Sequence, residues 1–226
     1  MQDEQVHSKM EHFLANYREV TLKKGEILLR PYDEITNCYY IKSGFVYSYT
    51  VSASGNEFTT NVFRPTSIIL LSAALSSNTL YCTCETLTQV TAVKIPSRDI
   101  RKFMKQESEV AFFYFTQFAS ALSQTCLRME AIIFGTAGEK VASVLCLLQN
   151  RFELDPGKKR INLDFSLTHR QLASMTGLTR ETVSSEMVKL KREKLIDYQS
   201  GNIEILDQEK LRDASSIGHY FFESSK

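Results

Sequence analysis

The sequence predicts an α+β chain: a small barrel or β-roll, then a long apolar helix, then a helix-turn-helix closed by a β-hairpin. Three observations predict it. Residues 20 to about 100 hold short runs of Tyr, Val, Ile and Thr separated by turn clusters, the spacing of a small all-β body. From about Ser97 the apolar period lengthens from two residues to three and four, which is helical. The stretch THRQLASMTGLTRETVSSEMVKLKREKLI, Thr168 to Ile196, reads as two short helices meeting at Gly177.

Taken in order, YYIKSGFVYSYTV is a strand region broken by Gly44, and Ser52–Glu57 with Gly55 is a turn leading into a second hairpin strand, FTTNVF. SIILLSAAL either lines an apolar pocket or fills the roll, and filling the roll is the expectation. CETLTQVTAVKI continues the β-branched pattern. Ser97 is a plausible N-cap for RDIRKFMKQ. A helix then runs from about Glu109 to Phe134. On it Phe115, Phe118, Leu122, Thr125, Met129 and Ile132 step by three and four alternately, the a/d spacing of a coiled-coil seam. A second stripe, Phe112, Ala119, Cys126 and Ile133, runs beside the first. Either one stripe faces the barrel while the other meets a partner helix, or both form one wide core face within a subunit; periodicity leaves the choice open. Gly135 and Gly138 place a boundary near 135–138. EKVASVLCLLQNRF is a further helix, DPGKKR (Asp155–Arg160) a turn, INLDFSL a short strand, and DYQ and NIEIL flank a two-residue hairpin turn at Ser200-Gly201.

The helical pair is the most informative stretch. Thr168 followed by Gln171 is a capping box. Leu172, Ala173 and Met175 form a packing face, Gly177 permits a corner with φ > 0, Leu178 plugs that corner and Thr179 caps the second helix. Val183, Met187 and Leu190 turn inward. The outward first turn then carries Arg180, Glu181, Ser184 and Ser185. Arg pairs bidentately with guanine and Glu accepts from a cytosine amine, and a helix N-terminus favours phosphate. Between Lys158 and Lys194 there are nine Lys and Arg against four Asp and Glu, a net of +5, so the remaining residues carry about −4 of the +1 total. The bland alternative is a helical pair with a solvated charged face.

At 226 residues, 43% hydrophobic and 23% charged, the chain suits one large or two small globular domains. No apolar run approaches the ~18 residues of a membrane span, and the polar, acidic MQDEQVHSKMEHF has no signal core, so a cytoplasmic protein without a membrane partner is expected. Five scattered cysteines do not form a disulfide framework. Cys82 and Cys84 point to one face of a strand; a metal or redox site there is weighed against ordinary buried thiols, which are expected.

From about Val20 to Asp207 the chain resembles the CRP/FNR family of bacterial transcription regulators. KKGEILLRPYDEITNCYYIKSGFV, the long helix, and LTHRQLASMTGLTRETVSSEMVKLKREKLI with SGNIEIL carry the likeness. The resemblance implies a jelly-roll or cupin-like β-roll sensor domain (1–108), a dimerisation helix and hinge (109–137), and a winged helix-turn-helix DNA-binding domain (138–226). It tips the seam towards a homodimer. It implies double-stranded DNA as partner, with an inverted-repeat operator, and RNA polymerase if the protein is an activator. Arg180 and Glu181 would read bases with support from Ser184 and Ser185, while Thr168, His169, Arg170, Thr179 and Lys189 would touch phosphates.

Arg180 with Glu181 matches the cyclic-AMP-receptor pattern and Glu181 with Ser184 the FNR pattern. Both patterns carry an arginine where Ser185 stands, and a small or apolar residue where Glu186 stands. The family's nucleotide cassette has a Gly-Glu pair where this chain has Leu70-Leu71 and an Arg-Ser pair where it has Leu80-Tyr81, and a glycine where it has Tyr32. Arg64 is the one nearby cation for an effector pocket of Arg64, Leu70, Leu71, Leu80 and Tyr81. Cyclic AMP is therefore not expected. No cysteine precedes Cys38, so no iron–sulfur cluster is expected and no cofactor is predicted. Two rival readings are a constitutive DNA binder with a vestigial sensor, and a cupin-like metalloenzyme. The second needs clustered His and carboxylate ligands on strands, and His7, His12, His169 and His219 all lie outside the strand region.

Overall fold

A computed structural model describes residues 2–76, 79–152, 161–162, 165–218 and 220. They form two compact units, Met1–Ser120 and Ala121–Lys226, which divide inside the long helix.

The first unit opens with a helix that the polar N-terminus concealed, α1 (Gln2–Leu14). Val6, Met10 and Leu14 recur every fourth residue, so they share one face, and all three are buried in the core of the roll. Then come β1 (Glu19–Leu22), β2 (Ile27–Leu29), β3 (Asn37–Ser43), β4 (Val46–Val51), β5 (Glu57–Phe63), β6 (Ile68–Ile69), α2 (Leu71–Ser76), β7 (Thr83–Thr86), β8 (Val90–Pro96) and α3 (Ser97–Gln106). The strands make two four-stranded sheets, β1-β8-β3-β6 and β2-β7-β4-β5, with every pair antiparallel. Ile41, Val46, Ile69, Val90, Ala92 and Ile95 fill the space between them. Gly44 turns β3 into β4 at φ +84, and a Cβ there would sit 2.1 Å from the Gln89 carbonyl oxygen, so no side chain fits. SIILLSAAL fills the roll: Ile68, Ile69, Leu70, Ala73 and Ala74 are all buried. Ser97 does not cap α3. Pro96 occupies the N-cap, and Ser97 is the first helical residue, its hydroxyl donating to the Ile35 carbonyl at 2.9 Å. The hydroxyl is spent on the preceding loop, while proline supplies a fixed φ at the helix start.

The long helix α4 (Ser108–Phe134) spans the division. In the first unit Val110, Ala111, Phe113 and Tyr114 pack on the roll. In the second, Leu127 and Ala131 pack with Leu147 and Ile217. Neither apolar stripe supplies these contacts. Phe115, Phe118, Leu122 and Met129 of the first stripe are more than half exposed, as are Phe112 and Ile133 of the second. The single wide core face is therefore not what the helix forms, and the second stripe does not face the barrel.

The second unit continues with α5 (Ala137–Phe152), β9 (Ile161–Asn162), α6 (His169–Thr176), α7 (Arg180–Arg192), β10 (Ile196–Gln199), β11 (Asn202–Ile205) and α8 (Gln208–Asp213). Its sheet is antiparallel, in the order β10-β11-β9. Gly138 does not break the chain; it lies in the first turn of α5. That turn is held by a reciprocal cap: Thr136 N–H donates to Glu139 Oε2 at 2.7 Å, and Glu139 N–H to Thr136 Oγ1 at 3.4 Å. Ser200 and Gly201, at φ +50 and +85, close the β10–β11 hairpin as the two-residue turn requires. The turn expected at 155–160 and residues 163–164 of the strand after it lie outside the described residues.

Candidate nucleic-acid interface

Two caps and a corner set the geometry of the helical pair. Thr168 Oγ1 accepts the Gln171 N–H at 3.2 Å, and Gln171 Oε1 accepts the Thr168 N–H at 2.9 Å, so the predicted capping box is formed. α6 ends at Gly177 in the left-handed region, φ +68. Thr179 caps α7 by accepting the Thr182 N–H at 3.2 Å. Leu172, Met175, Val183, Met187 and Leu190 are buried in the angle between the helices, with Ala173 at their close approach. Leu178, at the corner, is half-buried.

With that face occupied, the other face of α7 has to meet solvent. Arg180, Glu181 and Ser185 are exposed and Ser184 is half-buried. Val188 shares this face one turn further on and is 54% exposed. The charge-led sequence reading passed over Val188, although its spacing from Ser184 and Ser185 is the signal that finds it; an apolar group there suits a thymine methyl. Thr168, Arg170 and Thr179 are exposed and His169 is half-buried, so the helix starts that would face phosphates are accessible. Lys189 is exposed, and its Nζ lies 2.6 Å from Glu186 Oε1. Glu186 itself is only 13% exposed at its side chain, and its Oε2 sits where a Cβ on Gly138 would come within 3.2 Å. The acidic residue on α7 thus rests against the first turn of α5, the end of a helix where the dipole favours negative charge.

The hairpin adds a side wall. Lys191 pairs with Asp197 at 2.6 Å and lies over the Tyr198 ring, 5.1 Å from its centroid. Its ammonium draws the Asp197 carboxyl below the ordinary carboxylate range. His169 meets Tyr198 edge-on, with ring centroids 5.5 Å apart. Between α6 and the hairpin lies a groove of about 210 Å³, lined by Thr168, His169, Met187, Tyr198 and Gly201 among others. Lys191 therefore braces the hairpin, a role that the basic run did not reveal.

Family models match both units: a cyclic nucleotide-binding domain over residues 19–107 and a Crp-like helix-turn-helix domain over residues 139–214. The chain belongs to the CRP/FNR family. It is 23% identical over 187 residues to the global nitrogen regulator of Nostoc sp., covering 82% of this chain and 83% of that protein. It is also 23% identical over 190 residues to the transcriptional activator protein anr of Pseudomonas aeruginosa, covering 84% and 77%. Among solved structures, FixK2 from Bradyrhizobium japonicum superposes with a TM-score of 0.75 at 19% identity, over 88% of this chain and 98% of that one. Like its relatives in the CRP/FNR family, the chain is a DNA-binding transcription regulator, and such regulators are not enzymes.

The positions matching the CRP/FNR nucleotide cassette lie in the roll. Leu70 is 5% exposed and holds φ +69; Tyr32 holds φ +71. Both stand where the family resemblance places glycine, so the left-handed backbone persists without it. Leu71 and Leu80 are half-buried against the roll core. Tyr81 is 67% exposed and meets the Tyr32 ring edge-on at 5.6 Å. Arg64 is half-buried, just past the end of β5, with its N–H directed to Ser67 Oγ at 3.3 Å. Leu70, Leu71 and Leu80 thus join one apolar body, and Tyr81 stands outside it. Among the described residues no helix is long and apolar enough to cross a membrane, and no cluster of three or more His, Cys, Asp or Glu is arranged to hold a metal.

Proposed function

We propose that this regulator binds an inverted-repeat operator as a homodimer, with one α7 entering the major groove of each half-site. The observation that carries the reading is the accessible first turn of α7, held out by the Thr179 cap with its opposite face buried. Arg180 and Glu181 read base edges, Ser184, Ser185 and Val188 complete the contact, and Thr168, His169, Arg170, Thr179 and Lys189 position the domain on phosphates. Lys189 exchanges Glu186 for phosphate: its own side chain is 51% exposed, and the carboxylate it leaves stays against the first turn of α5.

The bare stripe of Phe115, Phe118, Leu122 and Met129, with Thr125 and Ile132 beside it, supports pairing through α4. Recognition helices in such a dimer stand about 34–36 Å apart. The apolar residues at the cassette positions support an effector other than a cyclic nucleotide, without an iron–sulfur cluster. The protein acts in the cytoplasm, with RNA polymerase as partner if it activates. Selection of genomic DNA by the purified chain, followed by footprinting, tests the reading. The expected outcome is a palindrome with half-sites one helical turn apart; protection of a single asymmetric half-site would overturn it.

A further inference from the structure

The two carboxylates within α7 are placed oppositely. Glu181 is exposed in the first turn. Glu186 stands among Val183, Met187 and Leu190, all buried, and its own side chain is only 13% exposed. Its two oxygens have different neighbours. Oε1 accepts a hydrogen bond from Lys189 Nζ at 2.6 Å. Oε2 lies against the first turn of α5, 3.2 Å from where a Cβ on Gly138 would stand, closer than side chains ordinarily come. We propose that Glu186 is a positioning residue for DNA binding: it holds the Lys189 ammonium back from the phosphate backbone and so lowers affinity for every sequence alike. The inference rests on the reading that Lys189 contacts phosphate.

The two ends of the pair differ in freedom. Residues three apart are neighbours on a helix surface, so positions 186 and 189 meet within α7 itself. Lys189 is 51% exposed at its side chain and carries its charge on a flexible four-carbon stem, so it can turn towards DNA. Glu186 cannot follow it. The burial of this carboxylate is offset by the lysine on one side and by the dipole at the start of α5 on the other. The packing of α5 against α7 keeps it there.

Binding therefore exchanges one charged hydrogen bond for another in each subunit. Lys189 gains a phosphate oxygen and loses a carboxylate oxygen, and a fixed negative charge is left beside an anionic backbone. The contact then adds less affinity than an unpaired lysine would. Because it is made to the backbone rather than to a base edge, the loss is the same on an operator and on unrelated DNA. Binding to unrelated DNA is essentially all electrostatic, so Glu186 makes the chain quicker to leave it.

The test is a double-mutant cycle on the full chain: native, Glu186→Gln, Lys189→Ala and the pair together. Each is titrated by fluorescence anisotropy against a labelled duplex of mixed sequence, and against the operator recovered by genomic selection, across a range of salt. Glu186→Gln keeps the shape and removes the charge. It should bind both duplexes about threefold more tightly per subunit, hence about tenfold for a dimer, with the ratio between them unchanged. Its dependence on log salt should steepen by about one per subunit, because Lys189 then meets phosphate without leaving a carboxylate unpaired; a change in fold stability alone would not move that slope. Glu186→Asp keeps the charge and shortens its reach, and should tighten binding by less. In the Lys189→Ala background Glu186→Gln should change neither affinity nor slope. If Lys189→Ala by itself leaves both unchanged, the phosphate contact and the reading beneath this proposal fail together. If Lys189→Ala weakens binding but Glu186→Gln does not tighten it, the restraint alone is overturned. A gain from Glu186→Gln that persists without Lys189 would also overturn it, since that is plain relief of repulsion between carboxylate and phosphate.

Discussion

Arg180 and Lys189 share one helix and should fail differently when removed. Arg180 is exposed in the first turn of α7, the place proposed for reading base edges. Arg180→Ala should cost about 1–3 kcal/mol and relax preference at one base pair in each half-site; binding to an operator series with unchanged ranking would contradict the base-reading role. Lys189 sits a few turns on, tied to Glu186 at 2.6 Å, and Lys189→Ala should weaken all sequences alike. Glu186 stands where the resembled family has a small or apolar residue, and the sequence offered no account of it. Its explanation lies in a partner 48 positions away in the chain, Gly138, and no local pattern carries that.

The elements bear stability in ways that can be separated. Thr168→Ala removes the acceptor at the start of α6 and should cost about 1 kcal/mol in denaturant unfolding. At the start of α5, the Thr136 N–H holds the Glu139 carboxyl below its ordinary value of 4.5. The folded value lies below the unfolded one, so this contribution is present above pH 4.5 and is lost as pH falls through the folded value. Glu139→Gln should therefore flatten the fall in urea midpoint between neutral pH and the acid limb; an unchanged slope would show that the cap contributes nothing. Leu122 stands 54% exposed on α4, and Leu122→Lys should yield monomers in sedimentation; an intact dimer would place the seam elsewhere.

What was legible at this scale follows from range. The caps at Thr168 and Thr179, the Gly177 corner and the Ser200-Gly201 turn are local devices, and each stands where its residue type implied; Ser97 did not, because its hydroxyl is taken by the Ile35 carbonyl. α1 was missed because Val6, Met10 and Leu14 are three apolar residues in a polar stretch, and their face gains meaning only against the roll. The two stripes of α4 were legible as stripes, but not which contacts held the helix: Val110, Phe113 and Tyr114 hold it to the roll, on the face opposite the stripes and outside both repeats.

For the whole molecule the charge is uneven, and binding should be steeply salt-dependent. With several phosphates contacted by each subunit, affinity should fall by roughly 10³-fold or more between 50 and 200 mM salt; a flat response in fluorescence anisotropy would contradict a phosphate-led interface. Association through α4, as proposed, would also link folding to concentration, so the thermal midpoint should rise with protein concentration. Calorimetry with cyclic AMP should show no binding, because an anion set among Leu70, Leu71 and Leu80 would lack a partner, and a micromolar dissociation constant would return attention to Arg64.

Tyr32 and Leu70 hold the same left-handed twist, yet they offer a protein engineer opposite prospects. A side chain in that region carries about 1–2 kcal/mol of steric cost, which glycine relieves while adding about 0.4–1 kcal/mol of freedom to the unfolded chain. Tyr32 is 74% exposed and forfeits otherwise only its edge-on contact with the exposed Tyr81 ring, so Tyr32→Gly should raise the melting temperature slightly. Leu70 is sealed in the roll, and Leu70→Gly should lower it, because the void left by a vanished isobutyl group outweighs the relaxed backbone. The roll has thus kept a bend shaped for glycine in two places. In one, glycine would ease the backbone at little loss, and in the other the leucine is indispensable to the interior it fills.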